Sequence, residues 1–182
     1  MAKLRISRWW MAAGWIALLA GFAFAVGAAE PEDELRSATV LTFIRHSEWL
    51  QGAPDGPITI GVMGRPSMIL TLRRTLDGKT ANNHAIRVVD AKAPVDPNSY
   101  QVLYVATDNN NEVRQALAGM RASHALTIGE AGRFLEYGGA VNLMIVDGHM
   151  SFEVSLEALD HAGVSVSSKL LRYGQVKTRA PV

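Results

Sequence analysis

The sequence predicts a single-domain α/β fold: a three-layer arrangement whose sheet is mostly parallel and ends in a C-terminal antiparallel hairpin. Two observations support this fold class. Between residues 58 and 128, short apolar runs typical of strands alternate with segments of helical spacing, an order that favours parallel strands joined by right-handed crossovers. Nearer the C-terminus, Asp147-Gly148 separates two strand-like runs. This dipeptide is a strong hairpin signal, because the tight turn needs positive φ at both central residues.

The first 29 residues have the layout of a secretory signal peptide. A basic start precedes an uncharged apolar run over Met11–Ala25, and small residues follow before Glu30-Pro31. We expect cleavage after Ala29, with Ala25 as the second choice, so that residues 30–182 form the exported domain. The alternative is an uncleaved anchor helix over Trp9–Val26, which is at the short end of what crosses a bilayer.

Charge and cysteine content narrow the function classes of the exported chain. Removing three of the 18 basic residues with the leader leaves 15 against 17 acidic residues, a formal net charge of −2. No basic stripe remains to follow a phosphate backbone, which argues against a nucleic-acid partner. The chain has no cysteine, so disulfide staples and thiol catalysis are both excluded.

The domain opens with a helix that the pattern predicts over Leu35–Leu50. Five residues at helical spacing would form its buried stripe: Val40, Phe43, Ile44, Ser47 and Leu50. Early acidic residues suit the positive end of the helix dipole. Trp49 is expected to pack against the core or the helix end, as large rings usually do. The alternative is an aromatic contact with a partner or ligand.

The predicted strands and helices alternate in the middle of the chain. Predicted strands cover Ile58–Met63, 85–90, Gln101–Ala106 and Ala125–Ile128. Predicted helices run from Pro66 to about Leu76 and over Glu112–Arg121, the first with proline at a tolerated first-turn position.

The C-terminal part follows with almost no loop. The hairpin strands are Ala140–Val146 and a segment in which Met150, Phe152 and Val154 alternate with polar residues. Ser155 is predicted to cap a helix over Leu156–Ala162, and Gly163 to close it in the left-handed conformation. A second short helix is predicted over Ser167–Tyr173, with Gly174 closing it in the same way.

Four segments, in this order and spacing, resemble the YfiR-like family of small exported bacterial proteins: TFIRHSEWL, ITIGVMG, GGAVNLMIVDG and SFEVSLEALDHAGVSVSSKLLRYG. The resemblance covers roughly Glu34–Gly174. It implies a periplasmic α/β protein without enzymatic activity that binds the periplasmic part of an inner-membrane diguanylate cyclase and holds it inactive. Disulfide control found in some relatives cannot carry over, because this chain has no cysteine.

Candidate ligand-binding residues follow from the expected sheet, since ligands of open α/β sheets bind beyond the carboxyl ends of the strands. In this sequence those loops are Gly64–Ser67, Thr107–Asn111 and Gly129–Gly139. Arg65 could meet an anion at a helix N-terminus, and Asp108 and Asn109 offer hydrogen-bonding groups. The alternative is plain turn, capping and solvation. The segment GVMGRP lacks the glycine spacing of dinucleotide sites, so no cofactor is expected.

The loop Gly129–Gly139 is the candidate partner-binding surface, because long loops of mixed charged and aromatic residues often carry binding. It contains Arg133, Phe134, Glu136 and Tyr137. The alternative is a surface loop with Phe134 packed beneath it. Asn142 in the next strand is expected to be buried and hydrogen-bonded to backbone.

No catalytic or metal constellation is evident. The five histidines are scattered, without an i, i+4 pair or an adjacent acidic cluster, and no G-x-S-x-G elbow occurs. The leading hypothesis is therefore a non-catalytic periplasmic regulator that represses a diguanylate cyclase and so lowers cyclic di-GMP signalling and biofilm formation. The runner-up is a periplasmic small-molecule receptor coupled to a sensor kinase. A homodimer stays open, because small regulators often form symmetric dimers.

Overall fold

The structure, a computed structural model, describes residues 31–51 and 55–177. The predicted signal peptide lies outside these residues and stays a prediction. The helices in the described part are α1 (Pro31–Arg45), α2 (Pro66–Leu76), α3 (Asn110–Gly119), α4 (Leu156–Ala162) and α5 (Ser168–Leu171). The strands there are β1 (Ser47–Trp49), β2 (Ile58–Gly64), β3 (Thr80–Ala81), β4 (His84–Asp90), β5 (Val102–Ala106), β6 (Leu126–Gly129), β7 (Val141–Val146), β8 (His149–Ser155), β9 (Val164–Val166) and β10 (Gln175–Lys177).

The predicted fold class is confirmed. The main sheet of the described residues has the order β10-β8-β7-β6-β5-β2-β4-β3. Its central pairs β4–β2, β2–β5, β5–β6 and β6–β7 are parallel, and β7–β8 is the antiparallel C-terminal hairpin.

Helices cover both faces of this sheet, because alternate residues of each strand point to opposite sides. On β5, Val102 and Tyr104 belong to the core shared with α1, α2, α4 and α5. Leu103 and Val105 belong to the second core, which α3 covers. The two cores with the sheet between them make the three layers.

The first helix was predicted too late in the chain, because it begins at Pro31 and not at Leu35. Helix α1 ends at Arg45, and the next residues form β1, which pairs antiparallel with β9 so that Ser47 lies opposite Val166 and Trp49 opposite Val164. Pairing with a distant strand has overridden the local helical pattern. Leu50, predicted to be buried, is 71% exposed. Trp49 packs partly buried against the core, which agrees with the simpler of the two interpretations.

Besides β1, three other short strands were not predicted: β3, β9 and β10. Strand β3 joins β4 through Asn82 and Asn83, which both have positive φ (50° and 64°). Asparagine tolerates this conformation, and a two-residue hairpin loop requires it. Strand β10 pairs parallel with β8 at the sheet edge, and β9 pairs with β1. Strands of two or three residues are too short to show a periodic pattern.

Three of the C-terminal predictions are confirmed: the turn at Asp147-Gly148, the cap at Ser155 and the helix end at Gly163. Asp147 and Gly148 have φ values of 51° and 75°, and Val146 lies opposite His149. The Ser155 side chain accepts a hydrogen bond from the Ala158 amide at 3.2 Å, and Gly163 ends α4 in the left-handed conformation. The last prediction is wrong in its bounds: α5 covers only Ser168–Leu171 and its C-cap is Arg172, and Gly174 does not have a positive φ.

Because Ser155 satisfies a free amide at the start of α4, the Ser155→Ala variant should lose about 1 kcal/mol of unfolding free energy. Chemical denaturation followed by circular dichroism measures this loss. The matched control is Ser165→Ala, at an exposed position of β9, which should change stability by less than about 0.5 kcal/mol. Equal losses in both variants would contradict a capping role for Ser155.

Candidate functional site

The carboxyl ends of β2, β5 and β6 form the candidate site. From β2 the chain first adds β4 on one side, and then places β5 on the other side of β2. The crevice between β2 and β5 is therefore the switch point of the sheet, the usual place of ligand sites in open α/β folds. The three loops predicted to meet at this edge do follow these three strands.

Gly64 holds the two strand ends close together at this crevice. It lies opposite Ala106, and the amide of Arg65 donates to the carbonyl of Ala106 at 2.9 Å. Gly64 has a φ of +110°, and a Cβ there would lie 2.2 Å from the Ala106 carbonyl oxygen. Only glycine fits such a conformation and approach.

A cavity of about 490 Å³ opens above Gly64. Its polar lining contains two of the predicted ligand residues, Arg65 and Asp108, together with Arg36, Glu112 and Glu130. Asn109 does not contribute to this lining. Its side chain instead caps α3 by accepting from the Asn111 amide at 3.0 Å, and donates to Glu112 at 3.1 Å, which agrees with the capping alternative. Helix α3 accordingly begins two residues earlier than predicted, at Asn110.

A network of charged side chains borders this cavity, and three of its members, Arg36, Arg65 and Glu130, line it. Asp33 near the start of α1 is fully buried, and its carboxylate accepts from Arg65 at 2.7 Å and from the Ser67 hydroxyl at 2.9 Å. Arg65 also pairs with Glu130, which follows β6. These contacts tie α1 to the ends of β2 and β6.

Glu130 has two further partners in the same network. Arg36 Nε lies 3.1 Å from a carboxylate oxygen of Glu130, close enough for an ion pair although not aligned as a hydrogen bond. The buried Tyr104 hydroxyl donates to that oxygen at 3.1 Å. Arginines from α1 and from the end of β2 therefore face the same carboxylate.

The pKa shifts follow from this arrangement. Burial, followed by the charge and hydrogen bond of Glu130, raises the pKa of Tyr104 well above its ordinary value. Burial alone would lower the pKa of Arg65, but the hydrogen bonds and charges of Glu130 and Asp33 outweigh it and raise the pKa. Tyr104 therefore stays a neutral donor and Arg65 a cation at every physiological pH.

The network changes the role predicted for Arg65. Its guanidinium is engaged by Asp33 and Glu130, so an incoming anion would have to displace a carboxylate. Four members of the network were missed from the sequence: Asp33, Arg36, Tyr104 and Glu130. In the sequence, Asp33 and Arg36 are recognisable only as charged residues at the start of a helix. Glu130 lies in the loop Gly129–Gly139, but nothing in its sequence context indicates a pairing with arginines.

The loop between β6 and β7 is built around Phe134, which is fully buried. A Cβ at Gly129 or Gly139 would lie 2.3 or 2.2 Å from its ring, so the ring is held between two glycine backbones. Burial contradicts the expectation that Phe134 contacts a partner directly, and agrees with the alternative of packing beneath the loop. The reason is that only the two glycines leave space for an aromatic ring.

The other three predicted partner residues lie together above Phe134. Arg133 and Glu136 are exposed and form an ion pair at 2.6 Å. The half-buried ring of Tyr137 has the guanidinium of Arg133 at 5.2 Å and that of Arg114, from α3, at 5.4 Å, both within cation–π distance. We call Arg133, Glu136 and Tyr137 the loop platform.

A groove of about 980 Å³ runs beside the loop platform. Glu136 and Tyr137 form part of one wall, and α4 contributes His161. The platform and the cavity at Arg65 are thus separate features joined by one loop. Asn142, in β7, is buried as expected, but its side-chain oxygen lacks the expected hydrogen bond among the described residues.

Comparison with known proteins identifies the family of this chain. The sequence profile of YfiR/HmsC-like proteins matches residues 33–175. The chain belongs to the YfiR/HmsC-like family. No curated protein matches the chain.

A solved structure supports the fold. A conserved domain protein from Vibrio cholerae O1 biovar El Tor is similar to the chain with a TM-score of 0.55 and 11% sequence identity. The match covers 81% of this chain and 60% of the solved one, so the chain spans under two thirds of that neighbour. At this identity the likeness concerns the fold alone.

Within residues 31–51 and 55–177, no helix is long and apolar enough to cross a membrane. In the same part of the chain, no group of three or more His, Cys, Asp or Glu side chains could hold a metal ion.

Proposed function

We propose that the exported protein binds the periplasmic part of an inner-membrane diguanylate cyclase and represses it, which lowers cyclic di-GMP and biofilm formation. The observation that carries this proposal is the family match over residues 33–175. The signal peptide predicted over residues 1–29 supports the location. A protein that represses its partner without catalysing a reaction needs only a surface that binds this partner. The proposal therefore requires such a surface on the described part of the chain.

The loop platform is the surface we assign to the partner. Tyrosine and arginine are the residue types that most often dominate binding energy at interfaces. Buried Phe134 fixes the backbone beneath them, so little conformational entropy is lost when a partner binds. The adjacent groove of about 980 Å³ offers a concave surface beside the exposed Arg133–Glu136 pair.

The double variant Arg133→Ala/Tyr137→Ala should reduce partner capture by at least about tenfold, the effect of losing about 1.4 kcal/mol or more of binding energy. Tagged protein is crosslinked in native envelopes, and the captured inner-membrane proteins are quantified by mass spectrometry. Wild-type protein should recover a protein with a cyclase domain, and cellular cyclic di-GMP should rise with the variant.

The matched control is Glu34→Ala/Arg74→Ala, which removes another exposed ion pair, 2.8 Å long, between α1 and α2. It should leave capture and cyclic di-GMP unchanged. Equal capture by both variants would contradict the assignment of the surface. Reproducible absence of any cyclase from the wild-type capture would contradict the proposed function itself.

A second candidate, a small-molecule receptor coupled to a sensor kinase, is favoured by one observation. The cavity of about 490 Å³ lies at the switch point of the sheet, and Arg65 and Asp108 line it. The capture experiment separates the two candidates, because recovery of a sensor kinase in place of a cyclase would favour the receptor.

A further inference from the structure

A third concave site lies at the C-terminal end of α1, whereas Asp33 and Arg36 of the charged network lie near its N-terminal end. This cavity has a volume of about 450 Å³. The end of α1, strand β1 and the turn between β3 and β4 surround it, and Ile58 at the start of β2 forms part of its lining. It contains Trp49 and none of the residues proposed above for partner or ligand binding.

Two hydrogen-bonding groups of this lining have no partner among the residues that the structure describes. Ser47 and Trp49 are two residues apart on β1, so their side chains project from the same face of the strand. The Ser47 hydroxyl and the Trp49 indole nitrogen are both buried, and neither has a hydrogen bond within residues 31–51 and 55–177. Ser47 is only 1% exposed. A buried polar group without a partner costs about 1–3 kcal/mol, a cost that a ligand bearing an acceptor would remove.

The surrounding framework is already fixed. The Asn82 side-chain amide donates to the carbonyls of Ile44 and Ser47, at 3.0 Å each, and so joins the β3–β4 turn to the end of α1 and the start of β1. His84 contributes a ring nitrogen 3.0 Å from the Gly56 carbonyl. These contacts hold the lining in place, and preorganisation lowers the cost of binding.

The charges around the opening indicate what kind of ligand fits. Exposed Arg45 and Glu48 are of opposite sign and both belong to the lining. The negative end of the α1 dipole adjoins the cavity and disfavours an anion. Indole and imidazole rings with Ile58 favour a flat apolar body.

We propose that this cavity binds an uncharged, ring-containing small molecule whose carbonyl oxygen accepts hydrogen bonds from the Ser47 hydroxyl and the Trp49 indole N–H. The proposal is independent of the cyclase partner. It concerns residues at a distance from the loop platform, so either assignment can fail alone.

The test is a titration of ¹⁵N-labelled exported protein with acetophenone, followed by NMR of the Trp49 indole N–H. Loss of that signal in the Trp49→Phe variant assigns it. Acetophenone should shift the signal saturably, and ethylbenzene, which is similar in size but lacks the carbonyl acceptor, should bind at least about fivefold more weakly, as expected for one hydrogen bond.

Ser47→Ala should weaken acetophenone binding by about fivefold, whereas Ser165→Ala, on the exposed side of β9, should leave it unchanged. Two results would overturn the proposal. One is the absence of any saturable shift with acetophenone in the wild-type protein. The other is equal binding of ethylbenzene and acetophenone, which would show that the unpartnered donors recognise nothing.

Discussion

The Asp33→Ala variant is expected to lose about 3 kcal/mol of unfolding free energy, since removing one partner of a buried ion pair typically costs about 3–5 kcal/mol. Asp33 is fully buried and accepts hydrogen bonds from Arg65 and Ser67. Arg65 is partly exposed and can regain water, which places the loss at the lower end of that range. Denaturant unfolding monitored by circular dichroism measures it.

The neighbouring Glu34→Ala variant is the matched control. Glu34 lies on the same turn of α1 and also pairs with an arginine, Arg74 at 2.8 Å, but both side chains are more than half exposed. Exposed pairs contribute only about 0–1 kcal/mol. If Asp33→Ala lost no more unfolding free energy than Glu34→Ala, the Asp33 network would add no more to stability than an ordinary surface ion pair.

The Asp33 network also shows where sequence reasoning stops. Its members come from α1, from β5 and from the residues after β2 and β6, so they meet only once the sheet order is known. That the ends of these strands share one edge was predictable from alternating strands and helices. The pairing of each carboxylate with its arginine was not predictable. A charged residue at the start of a helix is also explained locally, by its interaction with the helix dipole.

Local signals did specify the C-terminal part. Asp147-Gly148, Ser155 and Gly163 each act through their own backbone geometry, and each predicted feature is present. The wrong predictions concern segments whose structure depends on distant parts of the chain. Ser47–Trp49 reads as helix locally but pairs with β9, whose residues lie more than a hundred positions later. Tertiary pairing decides such short strands, and no window of the sequence contains both partners.

Phe134→Ala is expected to cost about 3–5 kcal/mol of unfolding free energy, as for other fully buried phenylalanines. The ring fills the space between the Gly129 and Gly139 backbones beneath the loop platform. Its loss leaves the loop unsupported, so residues 130–139 should exchange their amide hydrogens faster. Denaturation measures the stability, and hydrogen exchange with mass spectrometry localises the change.

Glycine variants test the same packing from the opposite direction. Gly139→Ala would place a Cβ 2.2 Å from the Phe134 ring, whereas a Cβ at Gly132, in the same loop, meets nothing within 4 Å. Gly139→Ala should therefore destabilise the protein by about 1–3 kcal/mol, the usual cost of overpacking, and Gly132→Ala should have little effect. If both glycine variants behaved alike, Phe134 would not be held in the confined space seen here. Phe134→Ala leaves Arg133 and Tyr137 intact. If this variant also weakened partner capture, the Phe134 ring would contribute to binding indirectly, by positioning the loop platform. A buried ring cannot contact the partner itself, so positioning is the role expected for it.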